Sequence, residues 1–107
     1  MADNIDKVLT IVETARTTGK IKKGTNEVTK AVERDKAKLV VVALDTNPKE
    51  IIMHLGPLCK EKGIPYFEVP SRKELGAATG IEVPTAAIAV VEAGESVQLI
   101  KKLKDNQ

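Results

Sequence analysis

The segment KKGTNEVTKAVER, residues 22–34, carries side chains whose types and spacing could recognise a ligand. A glycine precedes the expected start of a helix, as it does in phosphate-binding loops, but the other glycines of those loops are missing. At about 100° per residue, Lys30 lies about 40° and Glu27 about 100° around the helix from Asn26. The apolar residues of the segment point the opposite way. The spacing therefore predicts that Asn26, Glu27 and Lys30, which we call the polar trio, share one exposed side.

The chemistry of the polar trio suits the edge of a nucleic-acid base better than a phosphate. A phosphate site would need only the lysine and the first amides of the helix, where the helix dipole already favours an anion. A carboxylate repels phosphate but accepts hydrogen bonds from base amino groups, and an amide both donates and accepts. Glu27 could equally be an acid that stabilises the helix start. Chemistry alone leaves both roles open.

Positive charge concentrates around the polar trio. The 107-residue chain has a net charge of +2, whereas residues 20–38 contain seven basic and three acidic residues, a local charge of +4. Such a patch indicates an anionic partner, although a lysine-rich run is also often just a solvated face. We expect salt-dependent affinity from five lysines of this region. They are Lys20, Lys22, Lys23, Lys36 and Lys38.

Residue patterns for other chemistry are scarce. The sequence contains no G-x-S-x-G, no complete phosphate-binding loop, no nicotinamide fingerprint and no paired histidines. Cys59 is the only cysteine, and His54, five positions away on a helix, points elsewhere, so we expect no disulfide, metal or cofactor. Asp45 with Lys49 is a weak enzyme candidate, because an acid after a strand often only caps a turn. We expect no catalytic residue.

Length and composition predict one domain, residues 1–107. No apolar run approaches the roughly 20 residues of a membrane helix, and no leader is recognisable, so we expect a cytoplasmic protein. Aromatic residues are nearly absent, with only Tyr66 and Phe67. Their scarcity argues against proteins that stack single-stranded bases on aromatic platforms.

Apolar periodicity predicts alternating helices and strands. In the first half we expect a helix over 3–18, a short strand over 20–23, a helix from 24 to near 35, and a central buried strand over 39–44. In the second half we expect a helix starting at 47–50 with a kink or break near Gly56, because Pro57 follows, then a second buried strand over 65–69. A short helix capped by Ser71, a strand over 86–91 and a helix over 97–103 follow. This alternation predicts an α/β layered sandwich with helices on both faces of a small sheet.

Three motifs resemble the archaeal large-subunit ribosomal protein L7Ae family. They are KKGTNExTKAVER, HLxxLCxEKxIPY and ELGxAxGIEV, and the resemblance extends from about Gly19 to Val91. The resemblance implies a three-layer α-β-α sandwich around a small mixed four-stranded sheet. It also implies a non-catalytic protein that binds kink-turn RNA, a bent internal loop with tandem sheared G·A pairs.

The resemblance also implies roles for individual residues. Asn26 and Lys30 would contact guanine acceptors, and Glu27 would contact base donors. The loop Ile81–Thr85 would cover unstacked bases, a role that its apolar side chains suit. Near the RNA backbone the resemblance places Lys22, Lys23, Gly24 and Thr25. The complete set of RNA-binding candidates adds Arg34, Asn47, Ile51, Arg72, Ile81, Glu82, Val83, Pro84 and Thr85.

The partners implied by the resemblance are RNAs and ribonucleoprotein subunits. Family members serve in the large ribosomal subunit, in box C/D and H/ACA guide ribonucleoproteins, and in ribonuclease P, which processes tRNA. We expect a monomer when the protein is free. The alternative is a protein-interaction member of the same superfamily, which would lack the polar trio. The chain departs from the family pattern at Asp35, where a glycine is common, and at Leu44, which replaces an acid.

Overall fold

The computed structural model describes residues 2–45, 53–80 and 85–105. Within these ranges the chain forms five α-helices and four β-strands. In chain order they are α1 (Ala2–Thr18), β1 (Lys20–Lys23), α2 (Thr25–Glu33), β2 (Leu39–Ala43), α3 (Leu55–Lys62), β3 (Tyr66–Val69), α4 (Arg72–Ala78), β4 (Ala87–Glu92) and α5 (Val97–Asp105). A short 3-10 turn, Gly94–Ser96, precedes α5.

The four strands form one mixed sheet in the order β1-β4-β2-β3. Strand β4 is antiparallel to both β1 and β2, whereas β2 and β3 are parallel. Helices α1, α4 and α5 pack on one face of the sheet, and α2 and α3 pack on the other. The predicted α/β sandwich with a mixed four-stranded sheet is therefore confirmed.

Strand β2 forms the centre of the molecule, and all five of its residues are buried. Leu39, Val41 and Ala43 pack toward α1, α4 and α5, while Val40 and Val42 pack toward α2 and α3. Alternate residues of a strand point to opposite faces, so a strand covered on both faces must be apolar throughout. The predicted central strand is confirmed.

A strand does form within the predicted segment 65–69, but the prediction that this strand is buried was wrong. Strand β3 lies at the edge of the sheet and pairs only with β2. Val69 is buried, but Glu68 is exposed and Tyr66 and Phe67 are only partly covered. An apolar pattern predicts that a strand exists; it does not reveal how many neighbours that strand has.

The predicted helix break near Gly56 is confirmed. Met53 is helical and His54 lies in a turn, and α3 then begins at Leu55. Pro57 thus lies in the first turn of α3, where a missing amide proton costs no helical hydrogen bond. The predicted helix start at Asn47, Pro48 and Glu50, and the inner-face residues Ile51 and Ile52, lie outside the described residues.

The short helix α4 begins as predicted. The Ser71 hydroxyl accepts hydrogen bonds from the amides of Lys73 and Glu74, at 3.1 and 3.4 Å. This cap satisfies two of the amides that a helix start leaves without partners. Among the described helices, none combines the length and apolar character needed to cross a membrane.

Candidate nucleic-acid interface

Helix α2 starts directly from the sheet through Gly24. The Gly24 amide donates to the carbonyl of Ala87 at 3.0 Å, and the Gly24 carbonyl accepts the first helical hydrogen bond from Val28 at 2.9 Å. Gly24 has φ 96° and ψ 145°, a conformation open almost only to glycine. The strand pair β1–β4 therefore fixes where α2 begins.

The polar trio is exposed on the side of α2 that faces away from the sheet. Asn26, Glu27 and Lys30 are exposed, while Val28 and Val32 are fully buried against the sheet. The predicted orientation of the helix is confirmed. Gly24 provides no side-chain cap, so among the described residues the first-turn amides have no side-chain cap and can be offered to a ligand. The two alternative roles of Glu27 remain compatible with this geometry.

The flank of α2 next to Asn26 is attached to the turn before α3 by a hydrogen bond. The Thr29 hydroxyl donates to the Thr25 carbonyl at 2.8 Å and lies 2.8 Å from Nε2 of His54. A hydroxyl has one proton, so His54 must donate from Nε2 to the Thr29 oxygen. This contact holds α2 along the flank that adjoins Asn26 and lies opposite Glu27.

A left-handed residue ends α2 and folds the chain back beside it. Asp35 has φ 57°; its amide donates to Val32 O at 3.1 Å, and the Lys36 amide donates to Ala31 O at 2.9 Å. These two bonds form a Schellman cap, in which glycine is usual and an acid is tolerated. Asp35 thus holds the left-handed conformation that glycine most readily adopts. The Lys38 amide then joins Val90 O at 2.6 Å.

A groove of about 570 Å³ lies between β1, α2 and this turn, and we call it the basic groove. Ala31 and Val91 contribute apolar surface, and the remaining lining residues are all charged. Six are basic and three are acidic, a net charge of +3. They are Lys20, Lys22, Lys30, Arg34, Lys36 and Lys38, with Glu27, Asp35 and Glu92.

The basic residues of the groove form no ion pairs with described residues, and the three acids of the lining offset only half of their charge. Asp35 instead pairs with Lys62 of α3, at 3.5 Å between carboxylate and ammonium. Glu27 and Lys30 belong both to the polar trio and to the lining of the groove. The side chains that suit base edges and the positively charged surface are therefore adjacent.

Arg72, a predicted RNA-binding residue, contacts Asp45. Its amide donates to Asp45 Oδ1 at 2.8 Å, and its Nε lies 3.4 Å from the same oxygen, shielded from solvent and without hydrogen-bond geometry. The Arg72 carbonyl accepts the amide of Thr85 at 3.1 Å. Asp45 therefore caps the start of α4, and the turn that follows Asp45 lies outside the described residues. Through these contacts, Arg72 at the start of α4 connects Asp45, which follows β2, with Thr85, which precedes β4.

The other candidates fall into three groups, which are buried, exposed or partly exposed, and outside the described residues. Thr85 is buried, with 6% exposure, so its side chain belongs to the interior, and Ala87, two residues later, accepts the amide of Gly24. The end of the loop 81–85 thus lies beside the start of α2. Lys22, Lys23 and Arg34 are exposed, and Gly24 and Thr25 are partly exposed. Asn47, Ile51, Ile81, Glu82, Val83 and Pro84, as well as Lys49 of the enzyme alternative, lie outside the described residues.

Cys59 and Tyr66 are ionisable groups near α3 whose pKa values are raised. Cys59 is fully buried, and burial raises the pKa of its thiol to about 11. Burial, and then the charge of Glu68, raise the pKa of Tyr66 to about 12. Both groups stay protonated at neutral pH. Across the described residues, no three His, Cys, Asp or Glu side chains cluster in a way that could hold a metal.

Two features of the interface escaped the sequence analysis. The Thr29–His54 contact joins positions 25 residues apart, and the only hint of it was that Thr29 lies on the flank of α2 opposite Glu27. The basic groove needs residues of β1, α2, the following turn and β4. Its lysines were visible in the sequence, but their arrangement depends on the pairing of β1 with β4.

The chain was compared with known proteins. Residues 6–100 match the Ribosomal protein L7Ae/L30e/S12e/Gadd45 family. Among solved structures, the chain is similar to the Giardia lamblia 15.5kD RNA binding protein, with a TM-score of 0.92 and 32% sequence identity over 97% of this chain and 87% of that one. The fold and the motifs thus agree with the resemblance found in the sequence, and the chain belongs to the Ribosomal protein L7Ae/L30e/S12e/Gadd45 family.

Proposed function

We propose that the protein binds kink-turn RNA by reading the base edges of its tandem sheared G·A pairs. The observation that carries this proposal is the exposed polar trio at the start of α2, beside first-turn amides without a side-chain cap. Asn26 and Lys30 donate to guanine acceptors, and Glu27 accepts from base donors. The similar Giardia protein is named as an RNA-binding protein, which supports the same class of partner.

The protein acts by stabilising one RNA conformation. It binds the bent conformer, in which the sheared pairs present their edges, better than the extended one, and so shifts the RNA population toward the bend. The RNA or a partner subunit supplies any chemistry, since the family is non-catalytic. Candidate RNAs are those of the large ribosomal subunit, of box C/D and H/ACA guide ribonucleoproteins, and of ribonuclease P.

The enzyme alternative gains no support from the described residues. Asp45 caps α4 and pairs with Arg72 instead of facing a pocket of reactive groups. A protein-interaction member of the superfamily would have no use for an amide, a carboxylate and an ammonium displayed together. The polar trio therefore favours RNA as the partner.

The test is a titration with two RNAs of equal length and charge. One contains a kink-turn; in the other the sheared G·A pairs are replaced by Watson-Crick pairs. Donor and acceptor dyes on the two stems report the bend in the same experiment. We expect at least tenfold tighter binding to the kink-turn RNA, together with bending. Equal affinity for both RNAs would contradict the proposal.

A further inference from the structure

The basic groove extends the positive surface well beyond the polar trio. Asn26 and Arg34 are eight residues apart on α2, a distance of about 12 Å at 1.5 Å per residue. Lys36 and Lys38 continue the surface beyond the end of the helix. B-form DNA advances about 3.4 Å per base step along each strand, so about 12 Å spans several base steps of a nucleic-acid helix. The end of the groove farthest from Asn26 thus lies several nucleotides away from bases held at the start of α2.

The chemistry of the groove suits a phosphate backbone rather than a small molecule or bases. Pockets for small molecules are mostly apolar, whereas nine of the eleven residues that line this groove are charged. Its basic side chains lack ion pairs within the described part of the chain, and Asp35 is engaged by Lys62. None of the eleven described residues that line the groove carries a side-chain amide. Phosphate contacts position a nucleic acid without reading its sequence.

We propose that the end of the basic groove farthest from Asn26 binds the phosphate backbone of an RNA stem, several base steps from the bases that contact the polar trio. Lys20, Lys36 and Lys38 hold the phosphates, and Asp35 weakens the binding by repulsion. This inference rests on the proposed function, because Glu27 and Lys30 line both the groove and the base-contacting side of α2. It adds a second region of contact that orients the stem.

The test compares two double variants that remove the same charge. Lys36→Ala/Lys38→Ala alters the groove, and Lys101→Ala/Lys102→Ala alters exposed lysines of α5 on the other face of the sheet. Affinity for the kink-turn RNA is measured between 50 and 300 mM salt. We expect the slope of log affinity against log salt to become shallower by about one per groove lysine, and the α5 variant to keep the wild-type slope. Unchanged slopes in both variants, or equal changes in both, would overturn the inference.

Two further experiments locate the contact between the basic groove and the RNA backbone. Asp35→Asn keeps a residue that tolerates the left-handed conformation but removes the negative charge, and we expect severalfold tighter RNA binding. Single phosphates of the RNA are also replaced by neutral methylphosphonates. Replacement at the predicted steps should weaken binding to the wild type but not to Lys36→Ala/Lys38→Ala, and an equal effect on both proteins would overturn the assignment. If the wild type shows no preference for kink-turn RNA, the proposed function itself fails, whatever the slopes.

Discussion

Helices α2 and α5 are alike in length and in exposed side chains, yet we assign RNA recognition to α2 alone. Each has nine residues, and each adds apolar side chains to the core, namely Val28, Ala31 and Val32 from α2 and Ile100 from α5. Helix α2 exposes Asn26 and Lys30, and α5 exposes a similar amide and ammonium in Gln98 and Lys101. Composition therefore does not distinguish them.

The two helices differ in what adjoins them. Helix α2 starts from a strand through Gly24 and ends in a turn that folds back, and these neighbours add basic residues on one side. Helix α5 continues from a 3-10 turn that carries Glu95. A binding surface thus arises from the elements that meet at a helix, and lysines on an isolated helix face remain ordinary solvated charges.

The largest effect should come from removing the amide and ammonium of α2. A good base contact contributes about 1–3 kcal/mol, so Asn26→Ala/Lys30→Ala should weaken kink-turn RNA binding by roughly 30-fold or more. The matched variant Gln98→Ala/Lys101→Ala should change the affinity by less than about twofold, because α5 lies away from the RNA. Titration of a labelled kink-turn RNA measures both. Similar losses of RNA affinity in the two variants would contradict the assignment of RNA recognition to α2 alone.

Glu27→Gln should decide the role of the carboxylate. If Glu27 accepts hydrogen bonds from bases, the variant loses about 1–3 kcal/mol with kink-turn RNA, while binding to the Watson-Crick control tightens slightly because a negative charge is gone. Parallel titrations with the two RNAs measure the change. Tighter binding to both would identify Glu27 as a helix-start acid with no base contact.

Gly24→Ala should show whether the backbone conformation at the start of α2 matters for RNA binding in addition to stability. An added Cβ would meet no atom within 4 Å, so the cost is conformational, on the order of 1–3 kcal/mol of unfolding free energy. Gly63→Ala is the matched control, since Gly63 has φ 71° and equally open surroundings after α3. Urea denaturation should show losses in both, and RNA titration should show weakened binding only for Gly24→Ala. Retained RNA affinity in Gly24→Ala would mean that the start of α2 does not contact RNA.

The smallest expected effect is on the free energy of unfolding, and it comes from Cys59 in the core beneath α2 and α3. Burial raises the pKa of its thiol from 9.0 to about 11, so the folded state holds the proton more tightly than the unfolded state. This contribution to stability is complete below about pH 9 and should decline as the pH rises toward 11. Thiol labelling at pH 8 should be slow in the native protein and fast in urea. Rapid labelling without urea would show that the core opens locally.

Much of the fold was predictable because it depends on local patterns. The LVVVAL run identified the central strand, and the stripe of Val28, Ala31 and Val32 identified both α2 and its exposed side. The mixed character of the sheet was predicted only from the family resemblance, because the pairing of β1 with β4 joins residues about 70 positions apart in sequence. The edge position of β3 was missed for the same reason.

The binding surface was predictable in its chemistry and less so in its extent. The polar trio follows from helical spacing alone. The basic groove depends on Lys20 lying opposite Glu92 across β1 and β4, and on the left-handed Asp35 that returns Lys36 and Lys38 toward α2. Arg72 also shows the limit of sequence analysis, since its contact with Asp45 joins residues 27 positions apart.

The most direct test of the account is the ratio of dissociation constants for the Watson-Crick control and the kink-turn RNA, measured for three proteins. They are the wild type, Asn26→Ala/Lys30→Ala and Lys36→Ala/Lys38→Ala. If the polar trio reads bases and the basic groove holds phosphates, the ratio falls toward one in the trio variant only, while the groove variant loses affinity for both RNAs and keeps the wild-type ratio. A trio variant that retains the wild-type ratio would contradict the central claim.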